Sequence, residues 1–182
     1  MTWLIKNRLA AFERQHGYDA SYMRELLATD PKAFWAFSSV MKMSRYRRDI
    51  PKEPYYAAGL VGSMAEDCGP CTQLGVGLAL ADGCTKTVIG NVIAGDDVAL
   101  PDDVRLTVHF ARAVIAHAPE ADDLRDEIVR RWGPRALASL ALRITASRLY
   151  PTMKYALGHG KACTRVRVGD KQIVPRHGKV AA

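Results

Sequence analysis

Apolar residues recur along most of the chain at the spacing of a helix face. Before Thr164, no run of alternating apolar and polar residues is longer than a few positions. Strong stop and start signals divide the pattern: Gly17 ends a first helix, residues 29–31 (Thr-Asp-Pro) begin a third, and Gly95 closes a sixth. The pattern therefore predicts an all-α protein.

Two predicted helices in the middle of the chain differ in composition. Residues 54–66 carry apolar side chains on one face, whereas residues 70–81 are rich in small residues that allow another backbone to approach closely. Further on, residues 164–168 and 172–174 alternate apolar and polar side chains around Gly169-Asp170. This predicts a short C-terminal hairpin or an extended arm over an apolar groove.

The length of 182 residues and the hydrophobic content of 48% suit one sizeable core. We therefore predict a single domain over residues 1–182, with N-terminal helices in 1–50, a central part in 52–161 and a basic tail in 162–182. The longest apolar stretch, residues 74–81, is much shorter than the ~20 residues that a membrane span requires. We expect no membrane partner and no targeting segment.

The net charge of +7 is concentrated in two segments, residues 42–52 and 161–182, which hold five and six basic residues. Outside them, 15 basic and 17 acidic residues remain. The body is thus nearly neutral, and no nucleic-acid-binding motif accompanies the basic segments. We expect no nucleic-acid partner, and a tail that docks on the body or on a neighbouring subunit.

The tetrapeptide Cys68-Gly69-Pro70-Cys71 is the most chemically distinctive feature of the sequence. Backbone N–H groups and the dipole at a helix start stabilise a thiolate, and two intervening residues suit a reversible disulfide. Two buried structural cysteines or half a zinc site are the alternatives, but Cys84 and Cys163 do not supply a second ligand pair at a usual zinc spacing. We therefore expect a cytoplasmic redox pair that needs no cofactor and no metal, with Cys68 the more acidic and exposed thiol.

The same tetrapeptide occurs in the thioredoxin active site. In thioredoxins, however, the motif follows a buried β-strand in a chain of alternating strands and helices. Residues 60–67 are weakly strand-like at best, and helices are predicted on both sides of the motif. The sequence therefore argues against a thioredoxin fold.

A larger resemblance covers roughly residues 52–161. It rests on residues 65–71 (Ala-Glu-Asp-Cys-Gly-Pro-Cys), 92–96 (Val-Ile-Ala-Gly-Asp), 100–103 (Leu-Pro-Asp-Asp) and 110–112 (Phe-Ala-Arg). The order of these motifs resembles the alkylhydroperoxidase-D-like superfamily, which includes the carboxymuconolactone decarboxylases. The resemblance implies an all-helical bundle, a homo-oligomer such as a trimer or hexamer, and a CxxC pair that reduces peroxides or exchanges disulfides with an unknown thiol reductant.

The sequence departs from this superfamily at the acid–base residues. The redox branch has a histidine four residues after the second cysteine, where this chain has Gly75. The region of its upstream glutamate here holds Tyr56, which could supply a hydroxyl or simply pack in the core. Glu66, two residues before Cys68, is a candidate base or an exposed carboxylate at a helix end.

Three further side chains are candidates for a place near the dithiol. His109 and His159 could approach it through the fold, although a lone histidine near a helix surface is usually solvated. Cys163 could resolve a mixed disulfide or be buried.

The sequence favours a thiol-dependent oxidoreductase, an antioxidant peroxidase or a thiol–disulfide exchange enzyme that uses Cys68, Cys71, Glu66 and Tyr56. One alternative is a helical oligomer that has lost catalysis and serves as a scaffold or binding module. A carboxymuconolactone decarboxylase-type enzyme is less favoured, because that carbon chemistry does not need a dithiol.

Overall fold

The structure is a computed structural model that describes residues 2–162 and 165–176. It confirms an all-α fold with a short C-terminal hairpin, and a 3₁₀ turn at Asp97–Ala99 precedes α8. The elements are α1 Thr2–His16, α2 Ser21–Thr29, α3 Pro31–Ser38, α4 Val40–Arg45, α5 Lys52–Ala65, α6 Gly69–Ala81, α7 Lys86–Ala94, α8 Asp102–Ala116, α9 Ala121–Trp132, α10 Pro134–Ala156, β1 Val166–Val168 and β2 Lys171–Ile173.

Local capping chemistry sets several helix ends. Asp30 caps α3 by accepting a hydrogen bond from the Lys32 N–H at 2.8 Å, and Pro31 occupies the first turn. Thr85 caps α7, and Gly95 closes it with a left-handed φ of 67°. These signals were readable from the sequence because they depend on neighbouring residues only.

Helix α5 is the centre of the larger of two apolar clusters. It packs against α6, α8 and α10, and it is buried from Ala57 to Met64. Two glycines permit the close approach to α10: a Cβ at Gly59 or Gly62 would overlap the side chains of Arg143 and Ser147, respectively. The cysteine pair follows directly after this buried helix, so its position is fixed by the core.

A second cluster joins the N-terminal helices to the C-terminal half of α10. Tyr22, Leu27, Phe34 and Phe37 are buried there together with Ala146 of α10. The Tyr22 and Phe37 rings meet edge to face with their centroids 6.2 Å apart. The N-terminal helices are thereby held beside the start of α6.

The hairpin packs on α6 and α7. Val166 and Val168 are buried in the larger cluster, and Val166 pairs with Ile173 across the two strands. The Gln73 amide of α6 is bonded twice to the backbone of Arg167, donating to its carbonyl at 2.9 Å and accepting from its N–H at 2.7 Å. The described part of the basic tail therefore docks on the body.

Within the described ranges, none of the helices combines the length and the hydropathy that crossing a membrane requires.

Candidate functional site

The two cysteines of the CxxC motif form a disulfide at the start of α6, with their Cα atoms 5.3 Å apart. Cys68 is the N-cap residue, and its Sγ accepts a hydrogen bond from the Cys71 N–H at 3.3 Å. Pro70 lies in the first turn of α6. Backbone N–H groups there have no partner within the helix, so the missing N–H of proline costs no helical hydrogen bond. The tight turn before the motif includes Asp67 with a φ of 50°. The disulfide pairing expected from the spacing is therefore present.

The two sulfurs differ in exposure, but in the opposite sense to the sequence prediction. Cys68 is fully buried, with 0% of its surface exposed, whereas Cys71 is half-buried. The prediction that Cys68 is the more exposed thiol is wrong because the chain folds back between α5 and α6. The Cys68 N–H bonds to the Ser63 carbonyl at 3.4 Å, and Thr72 bonds to both Ser63 and the Cys68 carbonyl.

The last turn of α10 and the residues that follow it contact the start of α6. The Gly69 N–H, between the two cysteines, donates to the Lys161 carbonyl at 3.1 Å. The Tyr155 hydroxyl donates to the Asp67 carbonyl at 3.0 Å. The backbone around the cysteine pair is therefore fixed from both sides, by α5 and by the segment after α10.

Glu66 lies at the end of α5, next to the cysteine motif, but its carboxylate points to another partner. The Arg148 Nε donates to the Glu66 Oε1 at 2.5 Å, and both side chains are partly exposed. This ion pair directs the carboxylate to Arg148, and no described contact joins it to either cysteine sulfur. The role of Glu66 as the base for the dithiol therefore remains a prediction. In the structure its carboxylate is paired with Arg148.

Tyr56 lies near the opposite end of α5. Ala65, at the end of the helix, is nine positions further along the chain, which corresponds to about 14 Å along the helix axis. Its ring packs edge to face on Tyr55, and the Arg143 guanidinium lies 5.3 Å from its centroid. The described contacts of Tyr56 are thus those of a packed aromatic residue beside a cation.

Gly75 marks the position that holds histidine in the resembling redox enzymes. A Cβ built at Gly75 would lie 3.0 Å from the Cδ2 of Leu60, which is fully buried in α5. This is closer than ordinary van der Waals contact, so a side chain at position 75 requires the end of the Leu60 side chain to shift by a few tenths of an ångström. Helices α5 and α6 are thus closely packed at Gly75.

The other candidate side chains have partners elsewhere. The His159 Nδ1 lies 3.0 Å from the Ser21 Oγ, and its Nε2 lies 2.6 Å from the Glu25 Oε2. The His109 Nε2 lies 3.1 Å from the Asp97 Oδ2. None of these three contacts involves the cysteine pair.

Two further cysteines, Cys84 and Cys163, lie outside the CxxC motif. Cys84 is a buried free thiol, and burial raises its pKa to about 11. Cys163 lies outside the described residues. Within the described ranges, no group of three or more His, Cys, Asp or Glu side chains is placed to hold a metal ion.

A buried polar cluster, not predicted from the sequence, lies beside Cys71. The Tyr18 Oη lies 3.9 Å from the Cys71 Sγ and donates to the Tyr22 Oη at 3.4 Å. The Nζ of Lys154, a residue with only 1% of its surface exposed, lies 4.5 Å from the Tyr18 ring centroid and 5.2 Å from that of Tyr22. One signal was available: Lys154 follows Ala146 at two four-residue steps, on the apolar face of α10.

Comparison of the chain with descriptions of protein families, with curated proteins and with solved structures gave no match. The function therefore has to be inferred from the chain's own residues.

Proposed function

We propose that the protein is a thiol-dependent oxidoreductase whose Cys68–Cys71 pair cycles between dithiol and disulfide while it reduces a peroxide or a disulfide substrate. The observation that carries the proposal is the disulfide at a helix start, with the Cys68 Sγ accepting the Cys71 N–H. Partial positive charge at that terminus favours a thiolate over a thiol. The resemblance of residues 52–161 to peroxide-reducing enzymes supports the same chemistry.

Exposure assigns different roles to the two sulfurs. Cys71 is half-buried and within reach of a small substrate, whereas Cys68 is enclosed. Cys71 is therefore the attacking thiol. Cys68, which already lies beside it, is the thiol that closes the disulfide.

With a peroxide, the Cys71 thiolate attacks one oxygen and the O–O bond breaks. The substrate leaves as an alcohol after gaining one proton, and Cys71 becomes a sulfenic acid. The Cys68 thiol then attacks the Cys71 sulfur, forming the S–S bond and releasing water. An external dithiol finally supplies two electrons and two protons, which regenerates both thiols.

The proposal is tested by turnover of a peroxide and of a small disulfide, with a dithiol such as dithiothreitol as the reductant. Cys71→Ser is expected to abolish turnover. Cys68→Ser, reduced, freed of dithiothreitol and then given one equivalent of oxidant, should stop at a sulfenic acid or a mixed disulfide, because no internal thiol closes the disulfide. Cys84→Ala is the matched control, because this buried thiol lies outside the pair. Wild-type rates in both serine variants would overturn the assignment.

We also propose that the chain assembles as a homo-oligomer. Large apolar side chains are exposed on the N-terminal helices: Trp3 is 68% exposed, Leu4 57% and Trp35 53%. Exposed apolar surface of this kind favours self-association. Sedimentation equilibrium should give a multiple of the monomer mass, and a monomer mass at all working concentrations would contradict this.

A further inference from the structure

The half-buried sulfur of the pair is in contact with a chain of hydroxyl groups. Tyr18 and Tyr22 are 6% and 2% exposed, and both belong to the N-terminal apolar cluster. The Tyr18 Oη is 3.9 Å from the Cys71 Sγ and 3.4 Å from the Tyr22 Oη. Tyr18 can therefore direct its proton to either the sulfur or the second hydroxyl.

A buried cation lies against both rings. The Lys154 Nζ donates to the Asp19 carbonyl at 3.1 Å. The ammonium is attracted to the faces of both rings. A cation there draws electron density from the phenols, which strengthens their hydroxyls as donors and favours negative charge at the nearby sulfur.

We propose that Tyr18 donates a hydrogen bond to the thiolate of Cys71 in the reduced protein, with Tyr22 and Lys154 as the positioning residues behind it. This inference rests on the thiol chemistry proposed above. It gives Cys71 a polar partner, which the glycine at position 75 cannot supply.

The change on ionisation is a rotation of two hydroxyls. The Cys71 thiol gives its proton to solvent, the Tyr18 hydroxyl turns from the Tyr22 Oη to the sulfur, and Tyr22 donates to the oxygen that Tyr18 presents. The separation of 3.9 Å belongs to the disulfide, in which the sulfur carries no charge. Hydrogen bonds to an ionised acceptor are shorter and stronger.

The protonation states of the cluster suit this role. Burial raises the pKa of Tyr18 to about 12, so its hydroxyl keeps a proton to donate while a thiol ionises. Burial lowers the pKa of Lys154, with Asp19 acting against that shift and Lys161 adding to it. Tyr150 and Asp19 also face the two tyrosines, and each raises the pKa of both.

The test is the pH dependence of iodoacetamide alkylation at Cys71 in the reduced full-length chain, located by peptide mass mapping. The wild-type midpoint should lie below the ~8.5 of a free cysteine. Tyr18→Phe should raise that midpoint by about one pH unit, because a hydrogen bond to a charged group is lost. Tyr22→Phe and Lys154→Met should shift it in the same direction by less.

Tyr55→Phe is the matched control. It removes another buried tyrosine hydroxyl, which donates to the Ser44 carbonyl at 2.6 Å, so it should affect stability without moving the alkylation midpoint of Cys71. A wild-type midpoint near 8.5, or an unchanged midpoint in Tyr18→Phe, would overturn the inference. Either result, obtained in a protein that still forms the disulfide reversibly, refutes the role of Tyr18 alone. Failure to form the disulfide refutes the proposed function instead.

Discussion

Replacing Gly75 by histidine should destabilise the protein, even though it restores the residue found in the resembling redox enzymes. The new Cβ would lie 3.0 Å from the Leu60 Cδ2, and Leu60 is fully buried and cannot move into solvent. Overpacking of this kind typically costs ~1–3 kcal/mol. The higher helix propensity of histidine stabilises the helix by only about 0.3 kcal/mol relative to glycine.

Gly77→His provides the matched control in the same helix. Gly77 is exposed, and a Cβ there has no heavy atom within 4 Å, so only the small gain in helix propensity applies. The free energy of unfolding of Gly75→His should therefore lie about 1–3 kcal/mol below that of Gly77→His. Urea unfolding of both variants under reducing conditions measures this difference.

A double-mutant cycle identifies the contact. Leu60→Ala alone should cost ~2–5 kcal/mol, because it leaves a cavity in the core. In the Gly75→His background the same truncation should cost at least about 1 kcal/mol less, since it also relieves the overlap. Equal stabilities of Gly75→His and Gly77→His, or additive effects in the cycle, would refute the packing explanation for the glycine.

Three further outcomes follow from the described contacts. Glu66→Gln should change the alkylation rate of Cys71 by less than about twofold, because the carboxylate is paired with Arg148; a loss of ten- to a hundredfold would show that Glu66 is the base. Gln73→Ala should speed tryptic cleavage in the hairpin, because two bonds to its backbone are lost; unchanged proteolysis would contradict this. Tyr18 has a raised pKa, so its stabilising contribution is full below pH 10.0 and is lost as the pH rises to about 12; the stability difference between wild type and Tyr18→Phe should shrink over that range, as measured by urea unfolding.

Local signals in the sequence predicted much of the helical architecture. Asp30 and Gly95 act on the helix ends beside them, so their effects follow from neighbouring residues. The position of Cys68 and Cys71 at a helix start likewise depends on the local motif, with Pro70 in the first turn.

The relative exposure of the two cysteines could not be predicted in this way. Cys68 is enclosed by its bond to Ser63 and by the segment that follows α10, which reaches the motif from more than ninety positions further along the chain. Such contacts depend on how the helices pack and leave no local pattern.

The contacts of the buried polar cluster could not be predicted from the sequence either, because they join residues that are far apart in the chain. Lys154 is 135 residues from Asp19, whose carbonyl it contacts, and Tyr18 is 53 residues from Cys71. Similarly, the sequence shows only that position 75 holds glycine where the resemblance predicts histidine. The structure adds that a Cβ at this position would lie close to Leu60.

The central claim is that Cys68 and Cys71 interconvert between dithiol and disulfide under mild conditions. It is tested most directly by equilibrating the chain in buffers of reduced and oxidised dithiothreitol and quantifying the Cys68–Cys71 linkage by peptide mass spectrometry. We expect one reversible two-electron transition in the wild type and in Cys84→Ala, and none in Cys68→Ser or Cys71→Ser. A wild-type protein in which the linkage never forms, or forms and cannot be reduced again, would contradict it.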